Sequence, residues 1–160
     1  MTDPRSISAD SVAILSALVS FDTTSRNSNL PLVEWIEEYL EHHGVRFTRY
    51  PGGDDGKWNL HASIGPDEAG GIAFSGHLDT VPVDGQDWTS DPFILREENG
   101  RLYGRGAADM KGYVACMLAA IPDIQAMELS RPVHLLFTCD EEITCNGARE
   151  LIADLQKAGQ

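Results

Sequence analysis

Two short apolar runs, GIAFSG at 71–76 and VHLLFTC at 133–139, limit the folds open to this 160-residue chain more than any other feature. Each reads as a buried strand: short, apolar and, for the first, bounded by glycine. The stretch between them contains a helical pattern. Two strands joined through a helix form a parallel crossover pair, because a hairpin cannot bring parallel strands together. The expected class is therefore α/β, with a mixed, partly parallel sheet and flanking helices.

The rest of the chain fits around that pair. A helix is expected from Ser8 to Ser20, capped by Ser8 or Asp10, with Leu15, Leu18 and Val19 as its apolar stripe. The polar loop DTTSRNSN follows. In LPLVEWIEEYLEHHG, residues Val33, Ile36, Leu40 and His43 recur at helical spacing, and Gly44 supplies the stop. VRFTRY and WNLHASIG read as strands around the turn PGGDDGK. Asn99-Gly100, between FILREE and RLYG, is a strong hairpin signal. A helix begins near Asp109, with Met110, Val114, Met117, Ile121 and Ile124 on its buried face and Pro122 kinking or ending it. Asn146 is expected to cap a last helix, ARELIADLQKAG.

Composition removes several function classes. With 42% hydrophobic and 23% charged residues, the chain can build one domain with a core. Twelve Lys and Arg are scattered among twenty-five Asp and Glu, for a net charge of −13, which leaves no basic patch for nucleic acid. No apolar run approaches the roughly 20 residues that span a bilayer. MTDPRSISAD has no basic and apolar leader, so cytoplasmic placement is expected. Cys116, Cys139 and Cys145 form no C-x-x-C pair and are odd in number, which points to free thiols.

Sites in open α/β sheets gather beyond the carboxyl ends of strands. Here His77 and Asp79 follow one apolar run, Asp140, Glu141 and Glu142 follow the other, and Asp109 starts the crossover helix. In SGHLDTVP, an imidazole and a carboxylate two residues apart in extended backbone share a side, so one can bind a metal while the other orients it. A surface histidine satisfied by its neighbour has the same sequence. Asp109 in LYGRGAADMKG can cap a helix or, kept ionised by the helix N-terminus, bridge two cations. The consecutive acids of TCDEEITCNGA fit a solvated turn or a cation site. In the second case one of two adjacent glutamates binds metal and its neighbour serves as general base.

Taken together and in order, HLDTVP, GRGAADMKG and DEE after a buried strand resemble the metallopeptidase family of aminoacylases, glutamate carboxypeptidases, succinyl-diaminopimelate desuccinylases and acetylornithine deacetylases. Within it, FDTTSRNSN and VPVDGQDWTSDPF look most like the acetylornithine deacetylase branch, while GRGAADMKG suits the desuccinylases equally. The resemblance implies a two-metal aminopeptidase-like catalytic domain. In it His77, Asp109 and Glu142 are metal ligands, Asp109 bridges the two ions, Asp79 orients His77, and Glu141 is the general base. It also implies a cis peptide between Asp109 and Met110. The implied cofactors are two divalent metal ions, zinc with cobalt as the alternative. The implied reaction is hydrolysis of a small-molecule N-acyl amino acid, releasing ornithine and acetate in arginine biosynthesis. A desuccinylase or other aminoacylase and a non-catalytic metal-binding domain are the competing readings. Residues 1–160 would form the N-terminal part of the catalytic domain. The lid or dimerisation domain, through which a homodimer is one option, and a C-terminal catalytic segment with further ligands would lie outside this chain, leaving it inactive alone. No nucleic acid or membrane partner is expected.

Overall fold

A computed structural model describes residues 10–53 and 56–157. Ser8, one of the two expected caps, and the last residues of the final helix pattern lie outside that range, as do the two aspartates of the PGGDDGK turn. The element order is α1 (Ser11–Val19), α2 (Leu30–His42), β1 (Arg46–Pro51), β2 (Trp58–Ile64), β3 (Ile72–His77), β4 (Arg96–Glu98), β5 (Arg101–Tyr103), α3 (Lys111–Ala119), α4 (Ile121–Gln125), β6 (Val133–Thr138) and α5 (Asn146–Lys157).

The main sheet runs β1-β2-β6-β3. β3 and β6 pair in parallel, with Ile72 opposite Val133 and His77 opposite Thr138, so the expected crossover pair is present. β2 pairs antiparallel with both β1 and β6, which makes the sheet mixed. Leu60, Ala62, Leu135 and Phe137 point from one face into a core shared with Leu18, Val33, Ile36, Leu40, Val114 and Leu118. Burial of each of the larger side chains contributes about 1.5–3 kcal/mol. On the opposite face, Asn59 Nδ2 donates to the Gly147 carbonyl of α5 at 2.9 Å, while its Oδ1 accepts from Cys139 N at 3.1 Å. The start of α5 comes so close to β6 that a Cβ on Gly147 would lie 2.3 Å from the Cys139 carbonyl oxygen.

Several local expectations hold. Asp10 caps α1, its Oδ1 accepting from Val12 N and Ala13 N at 2.9 Å. Asn99 and Gly100 have φ of 52° and 71°, the left-handed pair that a tight two-residue hairpin requires. Pro122 falls in the first turn of α4, where the crossover helix breaks and restarts.

Two expectations are corrected. GIAFSG is not buried along its length: Ile72 is 62% and Phe74 39% exposed, and only Gly76 and His77 are covered. Among the described residues β3 is an edge strand with β6 on one side alone, and apolarity in a strand does not say whether it is covered. Asp109 does not cap the crossover helix. α3 starts at Lys111 after Met110, with no side-chain cap, and the Asp109 carboxylate turns to His77 instead.

Candidate metal centre

The carboxyl ends of β3 and β6 lie side by side, and this adjacency brings the motifs together. β3 delivers His77, which is buried, and Asp79 follows it, 1% exposed. The turn after β6 delivers Glu141 and Glu142. The chain before α3 delivers Asp109 through an Asp109–Met110 peptide that is cis, as the resemblance implied. Gly106 makes the approach to that turn. Its φ is +76°, and a Cβ there would meet Thr80 Cγ2 at 2.7 Å, so glycine is needed on both counts.

His77 is held from both sides. Its Nδ1 lies 3.0 Å from the Asp79 main-chain oxygen and 3.4 Å from Asp79 Oδ1. Its Nε2 faces Asp109 Oδ1 at 3.1 Å and Glu141 Oε2 at 3.7 Å. Donor atoms of His77, Glu141 and Glu142 all lie within 4.8 Å of one another. His77, Asp109, Glu141 and Glu142 therefore share one locus, with Asp79 behind it. Asp140, although adjacent in sequence, turns away. Its carboxylate sits 4% exposed against Lys57, with Nζ to Oδ1 at 2.8 Å.

The electrostatics follow from four carboxylates around one imidazole. Burial alone would push the His77 pKa down, but the Asp79 carboxylate, then Asp109, outweigh it and lift it to about 9. Burial pushes the Glu142 carboxyl up; His77 opposes that, while Asp109, Asp79 and Glu141 reinforce it. For Asp79, burial is again the largest influence and acts upward, yet hydrogen bonds from His77, Ser25 and the Glu141 and Glu142 amides win and lower it. Nitrogen and carboxylate oxygen are the donor types that zinc accepts, and clustered anions are what a divalent cation neutralises. The residues present thus fit a divalent metal: His77, Glu141 and Glu142 offer donor atoms to one point, and the exposed Asp109 faces the same His77 nitrogen. When bound, such ions would polarise a carbonyl and acidify water.

Three contributors were absent from the sequence reading. Ser25 Oγ donates to Asp79 Oδ2 at 2.7 Å. The loop that carries Ser25 is bound to the chain after β3: Thr23 Oγ1 donates to the Leu78 carbonyl at 2.6 Å, and Thr80 N donates to the Thr23 carbonyl at 3.0 Å. Lys57 supports Asp140. Lys111 is fully buried, its Nζ donating to the Leu18 and Phe21 carbonyls at 2.9 and 2.8 Å, so the residue two after Asp109 is anchored to the end of α1. The available signal was the run of small hydroxyl residues in FDTTSRNSN, which reads as an ordinary polar loop until its partners are known. A cavity of about 520 Å³ lies at the opposite ends of the strands, lined by Arg46, Thr48, His61, Ser63 and His134, and it has no part in the acid cluster.

Comparison with known proteins identifies the family and the fold. The family described as peptidase family M20/M25/M40 matches residues 73–160, a segment that contains all five expected site residues. Acetylornithine deacetylase of Yersinia pseudotuberculosis is 43% identical over 140 residues, covering 84% of this chain and 36% of that protein. Acetylornithine deacetylase of Proteus mirabilis is 41% identical over 134 residues, covering 83% and 34%. The chain thus spans about a third of the length of these curated relatives. Among solved structures, human carnosine dipeptidase 1 superposes with a TM-score of 0.71 at 27% identity, covering 89% of this chain and 34% of that one. An M20 family metallo-carboxypeptidase from Sulfolobus solfataricus gives 0.71 at 27%, covering 84% and 31%.

Proposed function

The chain belongs to the M20/M25/M40 peptidase family, and on that premise we propose that it contributes the metal-binding half of an amide hydrolase of the acetylornithine deacetylase type. The observation that carries the reading is the convergence of His77, Asp109, Glu141 and Glu142 from three separate chain segments. The proposed substrate is N-acetyl-L-ornithine and the products are L-ornithine and acetate. The proposal includes zinc as the first choice of ion, arginine biosynthesis as the pathway and the cytoplasm as the compartment.

His77, Asp109 and Glu142 would hold two divalent ions, with Asp109 shared between them. These ions would supply positive charge to the scissile carbonyl and to the attacking water. Glu141 moves the proton. Its side chain is half exposed, so it can reach a substrate, whereas Glu142 is partly buried against the other acids. As water oxygen bonds to the acetyl carbon, Glu141 Oε2 accepts the water's proton. As the carbon–nitrogen bond breaks, Glu141 returns that proton to the departing amine. Asp79 stays ionised and holds the backbone of both glutamates, its Oδ1 accepting from Glu141 N at 3.1 Å and its Oδ2 from Glu142 N at 3.2 Å.

The test is an assay of a protein of the relatives' full length that carries this segment. It should be offered N-acetyl-L-ornithine and N-succinyl-diaminopimelate in parallel, before and after chelation and zinc return. Acetate release that needs metal supports the proposal. Faster turnover of the succinyl substrate assigns the desuccinylase reaction, and the absence of both activities with metal bound assigns a non-catalytic metal-binding domain.

A further inference from the structure

Behind the acid cluster lies a closed ring of buried polar contacts in which Asp79 has a role above and Lys57 has none yet. Lys57, just before β2, is 8% exposed. Its Nζ donates to Asp140 Oδ1 at 2.8 Å and to the Ser25 main-chain oxygen. Ser25 in turn donates its hydroxyl to Asp79 Oδ2 at 2.7 Å. Asp79 closes the ring by accepting the Glu141 and Glu142 amides, which follow Asp140 directly. Four segments meet here: the loop after α1, the entry to β2, the exit of β3 and the exit of β6. Asp140 has φ of 57°, a left-handed conformation that turns the chain sharply out of β6, and its carbonyl accepts from Thr144 N at 3.1 Å and Cys145 N at 2.8 Å. Aspartate tolerates that conformation better than most residues, and the two backbone bonds close the turn on its far side. The Asp140 side chain is the handle, and Lys57 grips it.

We propose that Lys57 is a positioning residue for the metal centre: through its buried ion pair with Asp140 and its bond to the Ser25 carbonyl, it sets the turn that aims Glu141 and Glu142 at His77. The inference rests on the metal-centre reading for its functional meaning, but the geometry of the turn stands apart from it. Lysine suits the role because one ammonium with three donors can join two acceptors from different segments. A buried ion pair is weak as a stabilising device, since desolvation offsets the attraction. Supporting groups of this kind commonly set metal affinity without touching the ion.

The test uses this chain, Co²⁺ as the probe and two readouts. Amide hydrogen exchange at Glu141 and Glu142 reads the turn. Paramagnetic shifts of the His77 ring during a Co²⁺ titration read the site. The variants are Lys57→Met and the pair Lys57→Met with Asp140→Asn, which removes the charge that the single variant strands. In both, the two amides should exchange at least tenfold faster relative to amides of β2 and β6, and Co²⁺ affinity should fall roughly 10–100-fold. Where the single variant does not fold, the charge-relieved pair carries the test. Unchanged exchange at Glu141 and Glu142 in the folded double variant overturns the proposal. So does parental Co²⁺ affinity in that variant, because Lys57 would then only neutralise a carboxylate. A parent chain whose His77 ring does not respond to Co²⁺ shows that this segment needs the ligands expected outside it, and the exchange rates then decide alone whether Lys57 holds the turn.

Discussion

Replacing Asp79 by Asn keeps the shape of the side chain and inverts half of its hydrogen-bonding character. The carboxylate is 1% exposed and accepts from Ser25 Oγ, Glu141 N and Glu142 N. An amide offers one acceptor and one donor, so either orientation sets an NH₂ group against a backbone N–H, that of Glu141 or that of Glu142. The stranded donor costs about 1–3 kcal/mol. The surviving bonds lose their charge assistance, which roughly halves them. The expected loss is therefore about 2–4 kcal/mol, measured by urea denaturation of this chain at pH 7. The sign with pH is fixed: the folded Asp79 pKa is lowered, so its contribution is present above the unfolded value of about 3.9 and is lost as pH falls through the folded one. The two stability curves should converge in acid. Nδ1 of His77 still has the Asp79 main-chain oxygen at 3.0 Å, so the ring should keep its orientation while its pKa drops below the present value of about 9. A folded Asp79→Asn chain within about 0.5 kcal/mol of the parent at pH 7, the usual scatter of an innocuous surface substitution, would refute the reasoning.

Lys111 should make the chain more stable in mild alkali. Burial lowers its pKa to about 7 from 10.5, so between those values the unfolded chain holds a proton that the folded chain has lost. Stability should rise by about 1.4 kcal/mol per pH unit in that window, and Lys111→Met should flatten the rise in urea melts at pH 7.5, 8.5 and 9.5. Burial, with Asp140 adding to it, pushes the Cys139 thiol up to about 12, while Cys116 and Cys145 are exposed. Iodoacetamide at pH 8 should therefore label Cys116 and Cys145 quickly and Cys139 only after unfolding, as read by peptide mass mapping; rapid labelling of Cys139 in the native chain would contradict its burial. In a protein of the relatives' full length, Glu141→Gln should lower turnover by roughly 10²–10⁴-fold at normal metal content, and Glu142→Ala should lose metal. Elemental analysis showing that Glu141→Gln strips the ion would reverse the roles of the two glutamates.

Local chemistry made much of this protein legible before any fold was known. Asn99-Gly100 dictates its hairpin because both residues adopt left-handed φ readily, and Asp10 caps α1 because its side chain reaches two free amides. The parallel pairing of β3 and β6 follows from a helix between two apolar runs. The motifs around His77, Asp109 and Glu141-Glu142 are each ambiguous alone; their order along one chain, and the family resemblance that order carries, made them legible. What the sequence could not disclose are relations between distant segments. Ser25 meets Asp79 across 54 positions, and Lys57 meets Asp140 across 83. A serine or lysine carries no local mark of a partner that distant, because the contact exists only once the sheet order β1-β2-β6-β3 has brought four chain segments to one edge. The exposure of Ile72 and Phe74 was decided at the same level. Apolarity is a property of the residue, but burial belongs to whatever stands beside it, and the strand order left β3 with a neighbour on one side.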